Sequence, residues 1–201
     1  MPTITLYGPL RVPFVTKVRA ALGYKKLEYS WQVPQDPEDY ARWSPKTGLL
    51  PTLQIDDEII EDSSRILDAL DERYPEPPLL SSDPKIARSQ RRLEQWVEAA
   101  LMFYWIHYLR GIADGERTEP PRGLAAEFAQ RLDDLVNFLG GRPFFYSDTP
   151  SRADFAVYSF LASVSEAVGK EVAEEVHARR PLDDYLKRVE QVTGIHPGDE
   201  P

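Results

Sequence analysis

Gly48-Leu49-Leu50-Pro51-Thr52-Leu53-Gln54-Ile55, followed a few residues later by Ile60-Glu61-Asp62-Ser63-Ser64-Arg65-Ile66, is the stretch on which the reading of this chain turns. It reads as a loop, a proline, a short alternating strand, a tight Asp56-Asp57 turn, a second short strand and a helix start. Proline cannot donate a ladder hydrogen bond, so Pro51 marks an edge or a strand's first residue. An X-Pro bond is also the one place where a cis peptide is cheap. A cis bond there would leave the N–H and C=O of Leu50 outward and unpaired, ready for an extended peptide-like ligand. Asp62 and Ser63 fall where a helix begins, beside free N–H groups and a positive dipole end that suit a carboxylate. Two readings stay open on these residues alone. One is a hairpin with an ordinary helix cap; the other is a backbone edge beside a carboxylate site.

Working back to the start, Thr3-Ile4-Thr5-Leu6-Tyr7 alternates polar and apolar residues and ends at Gly8-Pro9, a strand into a turn. Pro13 suits the first position of a helix, where its missing N–H costs nothing. Phe14, Val15, Val18, Ala21 and Leu22 continue with helical spacing, and Gly23 ends the run. Residues 27–31 read as a second strand, and residues 36–43 as a loop or loose helix before Ser44-Pro45. With a helix over about 62–74, the order is β-α-β-(α)-β-β-α. That order indicates a small mixed sheet with helices on its faces.

Pro75-Glu76-Pro77-Pro78 and Ser81-Ser82-Asp83-Pro84 form the one clear linker. Beyond it strand patterns vanish, and helical periodicity covers residues 84–111, 121–139, 152–168 and 181–192. The expected organisation is a mixed domain over 1–78, a linker over 79–84 and an all-helical domain over 85–201. No internal repeat or low-complexity segment interrupts it, and the polar tail from Gly194 is expected to fray.

Composition narrows the chemistry. A net charge of −9 argues against a non-specific partner among nucleic acids or anionic membranes. The chain has no cysteine, which removes disulfides, thiolate catalysis and cysteine-based metal sites. Its histidines, His107, His177 and His196, lie far apart without metal-ligand spacing, so no metal is expected. Neither an export signal nor an apolar run of about 18 residues is present, so the expected location is cytoplasmic.

In the helical half, Ser151-Arg152-Ala153-Asp154 reads as a helix start in which a serine N-cap and an acid three residues on satisfy each other's N–H groups. Trp96, Phe103, Tyr104, Trp105, His107 and Tyr108 make an aromatic-rich helix, most of it core. Tyr104 and Tyr108, four apart, are open to a second reading, as amphipathic rings at a pocket mouth.

Assembled, these pieces resemble a cytosolic glutathione transferase. The matching marks are Leu6-Tyr7-Gly8, Val12-Pro13-Phe14 with Val18-Arg19, Ser44-Pro45, Leu50-Pro51-Thr52-Leu53, Asp62-Ser63-Ser64-Arg65-Ile66 and Ser151-Arg152-Ala153-Asp154. They fall in the family's order over nearly the whole chain. The resemblance implies a thioredoxin-like domain (βαβαββα) joined to an all-α domain, in a homodimer. It implies glutathione as co-substrate and a small, largely apolar electrophile as the other. Leu50, before Pro51, would offer its backbone to the cysteinyl part of the tripeptide. Asp62 and Ser63 would hold the γ-glutamyl end, with helix capping as the other reading of the pair. Leu10, Tyr104 and Tyr108 would line the electrophile's pocket.

The departures bear on catalysis. Aligned on Pro13-Phe14, the family's catalytic serine or cysteine falls on Val12, which offers the glutathione sulfur neither hydroxyl nor thiol. A thiol with a pKa of about 8.5 is already a few per cent ionised at neutral pH, so the loss does not forbid conjugation. Two substitutes are candidates. Arg11 is a cation at a helix start, a combination that stabilises thiolates, or else a solvated loop residue. Tyr7 stands near where other branches of the family place a catalytic tyrosine, or else is a core strand aromatic. Leu49 replaces a lysine or glutamine that would meet the glycyl carboxylate, for which Lys46 or Arg42 would have to compensate. A non-catalytic ligand binder, and a partner-binding protein that has lost the ligand site, therefore stand beside the enzyme reading.

Overall fold

The computed structural model describes residues 2–106, 123–167, 170–196 and 198–199. Its first half runs β1 (Ile4–Tyr7), α1 (Pro13–Tyr24), β2 (Ser30–Gln32), α2 (Pro37–Trp43), β3 (Thr52–Ile55), β4 (Glu58–Glu61) and α3 (Ser63–Arg73). The second half is helical: α4 (Pro84–Trp96), α5 (Leu124–Leu139), α6 (Arg152–Ala167), α7 (Lys170–His177) and α8 (Arg180–Thr193). Between Val97 and Leu101 α4 passes into a π-helical turn and then continues. This is a thioredoxin-like βαβαββα unit followed by an all-helical region, the expected fold class.

The sheet order is β2-β1-β3-β4, with β1 parallel to β2 and the β1–β3 and β3–β4 pairs antiparallel. Register aligns Leu6 with Leu53 and Leu53 with Ile60. Strand alternation therefore sends Ile4, Leu6, Leu53 and Ile55 into the core with Val15, Val18, Ile66 and Leu70. β2 begins at Ser30 rather than near residue 27, because the Leu27 N–H turns back to the Leu22 carbonyl (3.0 Å) and closes the end of α1. Residues 36–43 resolve into a helix, since the Asp36 carboxylate caps the Asp39 N–H at 3.0 Å and Pro37 occupies the first turn. The helix α7 was not anticipated: Lys170–His177 is short and strongly charged.

Helix α1 lies between the sheet and α6, so residues 15–22 are all buried, including Lys17 and Arg19. Two glycines permit this closeness. A Cβ on Gly8 would sit 2.5 Å from Val15 Cγ2, and one on Gly23 would sit 2.2 Å from the Thr193 carbonyl oxygen. The second contact brings the end of α8 onto α1 and corrects the expectation of a frayed tail. Ile195 is buried and its carbonyl accepts from Tyr158 Oη at 2.8 Å. Asp199 accepts from Arg19 at 3.1 Å and from the His196 N–H at 2.8 Å. Arg19 needs such partners because it is buried; its guanidinium also stacks over Trp31, 4.3 Å from the ring centroid.

Gly23→Ala separates two effects of opposite sign. Helix propensity alone would favour alanine by about 1 kcal/mol, whereas overpacking against main chain costs about 1–3 kcal/mol. We expect thermal unfolding of the variant to begin several degrees lower; an unchanged or raised Tm would contradict the close contact with Thr193.

Candidate functional site

The loop before β3 is held from below by Glu61, the last residue of β4. Its carboxylate is buried and accepts from Ser44 Oγ (2.8 Å), Thr47 Oγ1 (2.9 Å), the Thr47 N–H (3.1 Å) and the Lys46 N–H (3.2 Å). Burial by itself would raise the Glu61 pKa, but hydrogen bonds from Ser44, Thr47 and Lys46 outweigh it and hold the carboxyl below its ordinary value. The loop so fixed leads through Gly48 to Leu50 and Pro51, whose peptide bond is cis. Leu50 is half-buried, and among the described residues neither its N–H nor its C=O has a hydrogen-bond partner. Leu49 beside it is 70% exposed.

Immediately after Glu61 the backbone turns at Asp62, with φ 78°, into α3. That left-handed conformation costs a non-glycine residue about 1–3 kcal/mol, and such residues cluster at functional sites. Asp62 is engaged as the helix cap: its Oδ1 accepts from the N–H groups of Ser64 and Arg65, each at 3.0 Å. Ser63, the first residue of α3, is 5% exposed, and its N–H has no partner among the described residues. An N–H at a helix start together with a hydroxyl on the same residue is a donor pair for a carboxylate.

Beneath Ser63 lies a charge cluster that joins the two halves of the chain. Lys17 Nζ is 3.4 Å from Ser63 Oγ, 2.9 Å from Ser64 Oγ, and 2.6 Å from both Glu94 Oε1 and Glu98 Oε1. Arg152 adds ion pairs to Glu94 and Asp68, and its Nη2 donates to the Ser64 carbonyl at 3.1 Å. Burial works to raise the Glu94 pKa, but Lys17 and Arg152 overcome it and hold the carboxyl below its usual range. Sequence reasoning missed Glu61, Lys17 and Glu94, and took Arg152 only as part of a motif. The available signals were a lysine amid the apolar run of α1 and the i, i+4 spacing of Glu94 and Glu98.

The other expected site residues are placed variously. Tyr7 projects from β1 on the opposite side to Leu6; its hydroxyl donates to Gln54 Oε1 at 2.8 Å and its ring stacks on Trp43 of α2, 4.7 Å between centroids. Strand alternation sends it to the α2 side. Arg11 is exposed, has φ 59°, and directly precedes Val12, the N-cap of α1, which makes no side-chain cap bond. Leu10 is 36% exposed. Tyr104 corrects the pocket-mouth expectation: it is 4% exposed and packs on Phe128 of α5, 5.4 Å between centroids. Tyr108 and His107 lie outside the described residues. A crevice does lie between the start of α1 and the helical half, lined by Pro13, Phe14, Val97, Glu98, Met102 and Phe160. Arg42 is tied to Asp39 of its own helix, whereas Lys46 lines an open hollow with Thr47, Asp62 and Arg65.

Among the described residues no cluster of three or more metal-ligating side chains occurs, and no helix is long and apolar enough to cross a membrane. The arrangement can hold an extended main-chain segment at Leu50 and a carboxylate at Ser63.

Comparison with known proteins agrees with this architecture. Residues 6–78 match the family described as glutathione S-transferase, N-terminal domain. A maleylacetoacetate isomerase of Pseudomonas aeruginosa is 31% identical over 209 residues, covering 96% of this chain and 92% of that protein. Two further matches are confined to 44% and 40% of this chain. A maleylacetoacetate isomerase of Dictyostelium discoideum is 34% identical over 99 residues, and glutathione S-transferase Z2 of Arabidopsis thaliana 38% identical over 87. The match spans only 45% and 38% of those two relatives' lengths. In solved structures, a glutathione S-transferase from Rhodospirillum rubrum superposes with a TM-score of 0.78 at 21% identity, covering 97% of this chain and 90% of that one. A rice glutathione S-transferase in complex with glutathione gives 0.77 at 22%, covering 98% and 92%.

The Glu61 cluster makes stability depend on pH in a defined direction. The folded pKa lies below the unfolded value, so the stabilisation is fully present above the unfolded pKa and is lost as pH falls through the folded one. Glu61→Gln is expected to lower Tm at neutral pH, with the gap to wild type closing as pH falls below about 4. A gap that stays constant with pH would contradict the charged-acceptor role.

Proposed function

This chain belongs to the glutathione S-transferase superfamily, and from that premise we propose that it binds reduced glutathione and conjugates it to a small, largely apolar electrophile. The observation that carries the binding half is the pairing, at one end of the sheet, of a Leu50 main chain with no partner among the described residues and the Ser63 donor pair at the start of α3. The peptide character of glutathione suits the first, and its γ-glutamyl carboxylate suits the second. Pro51 shapes the edge, and Asp62 acts through its cap, which fixes the direction of the Ser63 N–H. Residues 1–78 carry this site, 79–84 connect, and 85–201 supply the far wall.

Bound glutathione supplies the thiol that attacks the electrophile. Val12 stands at the family's serine or cysteine position and gives that thiol no hydrogen bond. Arg11, with the α1 N-terminus behind it, is the group we assign to stabilise negative charge on the sulfur. Tyr7, engaged with Gln54, is not assigned a role in the chemistry. Leu10 and the side chains of Phe14, Met102 and Phe160 are the apolar groups we assign to the electrophile; the crevice among them, bordered also by Lys17 and Glu98, has room for about one water and must open to admit it. We take the working form to be a homodimer in the cytoplasm, where thiols are kept reduced.

A second reading is favoured by the full-length match to a protein named maleylacetoacetate isomerase: the same bound thiol would serve an isomerisation instead of a conjugation. The missing hydroxyl at Val12 favours a third, binding without turnover.

Calorimetric titration of reduced glutathione is expected to give a Kd between micromolar and low millimolar, weakened about tenfold by Ser63→Ala, the loss of one hydrogen bond to a charged group. With a model electrophile, Arg11→Ala should lower kcat/KM and raise the apparent pKa of the bound thiol, while Tyr7→Phe leaves both unchanged. No heat and no thermal stabilisation at several millimolar glutathione would end both glutathione readings. Binding without turnover of any electrophile would leave the binding protein.

A further inference from the structure

We propose that Lys17 is a positioning residue for the ligand's carboxylate, acting through the hydroxyl of Ser63; the inference rests on the assignment of Ser63 to that carboxylate. Lys17 belongs to α1, is 1% exposed, and faces the first turn of α3 from below. An ammonium carries three N–H donors and no acceptor. Around it stand Ser63, Ser64, Glu94 and Glu98, more acceptors than it can serve singly. The contacts to Ser64, Glu94 and Glu98 are short; that to Ser63 Oγ, at 3.4 Å, is the loosest.

Such a contact has a directional consequence. The three short contacts can take all three N–H groups, but a hydroxyl 3.4 Å from an ammonium still turns its oxygen toward the positive charge and its proton away. The Ser63 hydroxyl is therefore turned into a donor toward any other acceptor within reach. Among the described residues no acceptor takes that proton, and the N–H of the same residue is also unpartnered. Lys17 thus turns the Ser63 hydroxyl into a donor beside the N–H of the same residue, and two donors are what a carboxylate requires.

Charge reinforces the direction. Glu94 and Glu98 lie close to Ser63, since the Lys17 Nζ that contacts Ser63 Oγ is 2.6 Å from a carboxylate oxygen of each, and the single proton of Ser64 Oγ has the same two oxygens at 3.1 and 3.2 Å. Without a cation between them and the start of α3, an incoming carboxylate would meet two like charges at short range. Lys17 occupies that place. Arg152 neutralises Glu94 from the far side, leaving the Lys17 ammonium partly available to the α3 N-terminus.

A double-mutant cycle on glutathione affinity tests this, with Lys17→Gln, Ser63→Ala and the pair measured by calorimetry on the full chain. Lys17→Gln is expected to weaken binding about tenfold or more in the wild-type background, the scale of a lost charge-assisted contact. In the Ser63→Ala background the same change should weaken it by a clearly smaller factor, because the route through the hydroxyl is gone and only the screening of Glu94 and Glu98 remains to be lost. Lys17→Arg keeps the charge and should recover most of the affinity; it also serves as the measurement if the glutamine variant does not fold. Independent, multiplicative losses in the cycle would overturn the proposal and leave Lys17 a structural ion-pair partner. So would an arginine variant that folds as wild type but binds as weakly as Ser63→Ala. Failure of wild type itself to bind glutathione would overturn the parent reading and this inference with it, an outcome visible before any variant is made.

Discussion

A buried ammonium cannot stand alone, and Lys17 is where this structure meets that constraint. Removing an ion from water costs several kcal/mol even after relaxation, and recovering it requires close, well-directed partners. Lys17 finds them on three elements at once: Ser63 and Ser64 on α3, Glu94 on α4, and Glu98 on the π-turn that follows. Glu94 in turn needs Arg152 at the head of α6, and Arg152 reaches back to Asp68 on α3. The charge of one residue therefore ties the thioredoxin-like half to the helical half, beside the apolar packing of α1 on α6. Removal of one partner from such a cluster typically costs about 3–5 kcal/mol, because a charge is left buried.

That arrangement depends on α1 being buried on every side. An ordinary amphipathic helix would have turned Lys17 and Arg19 to water. Here the sheet covers one flank and α6 the other, with the tail after α8 folded over the end. Gly8 and Gly23 allow main chain to approach where a methyl group would not fit. Arg19 then stacks on Trp31 and pairs with Asp199, so that Asp199 becomes part of the first domain's packing.

The ligand side of the same frame rests on Glu61. By accepting from Ser44, Lys46 and Thr47 it ties a loop to a strand end, so Leu50 and Ser63 are presented from neighbouring, rigid pieces of chain. Asp62 supplies the other half by capping α3 in a conformation that residues with a Cβ rarely adopt. Both acids work inward on the backbone. Among the described residues, the main-chain groups of Leu50 and the N–H of Ser63 are left without a partner.

Local chemistry was enough to find the elements. Alternation marked β1, β3 and β4, Pro13 and Gly23 bracketed α1 to within a residue, and the proline-rich segment before Asp83 divided sheet from helices. These signals are legible because a strand's period, a proline's missing N–H and a cap's side chain act within a few residues of themselves. The positions of Leu50, Pro51 and Ser63 were readable for the same reason. What chain order could not carry was which side chains meet across it. Lys17 reaches residues 46 to 81 positions away, Glu94 pairs with Arg152 58 positions on, and Arg19 is tied to Asp199 180 positions on. Tyr7 and Tyr104 show the converse: each has a composition that suits a site, and each is placed in packing by the sheet face or helix neighbour it meets. The sequence by itself determined the elements and the backbone of the candidate site; the tertiary structure decided which charges are buried together, because burial is a property of neighbours that only folding brings within reach.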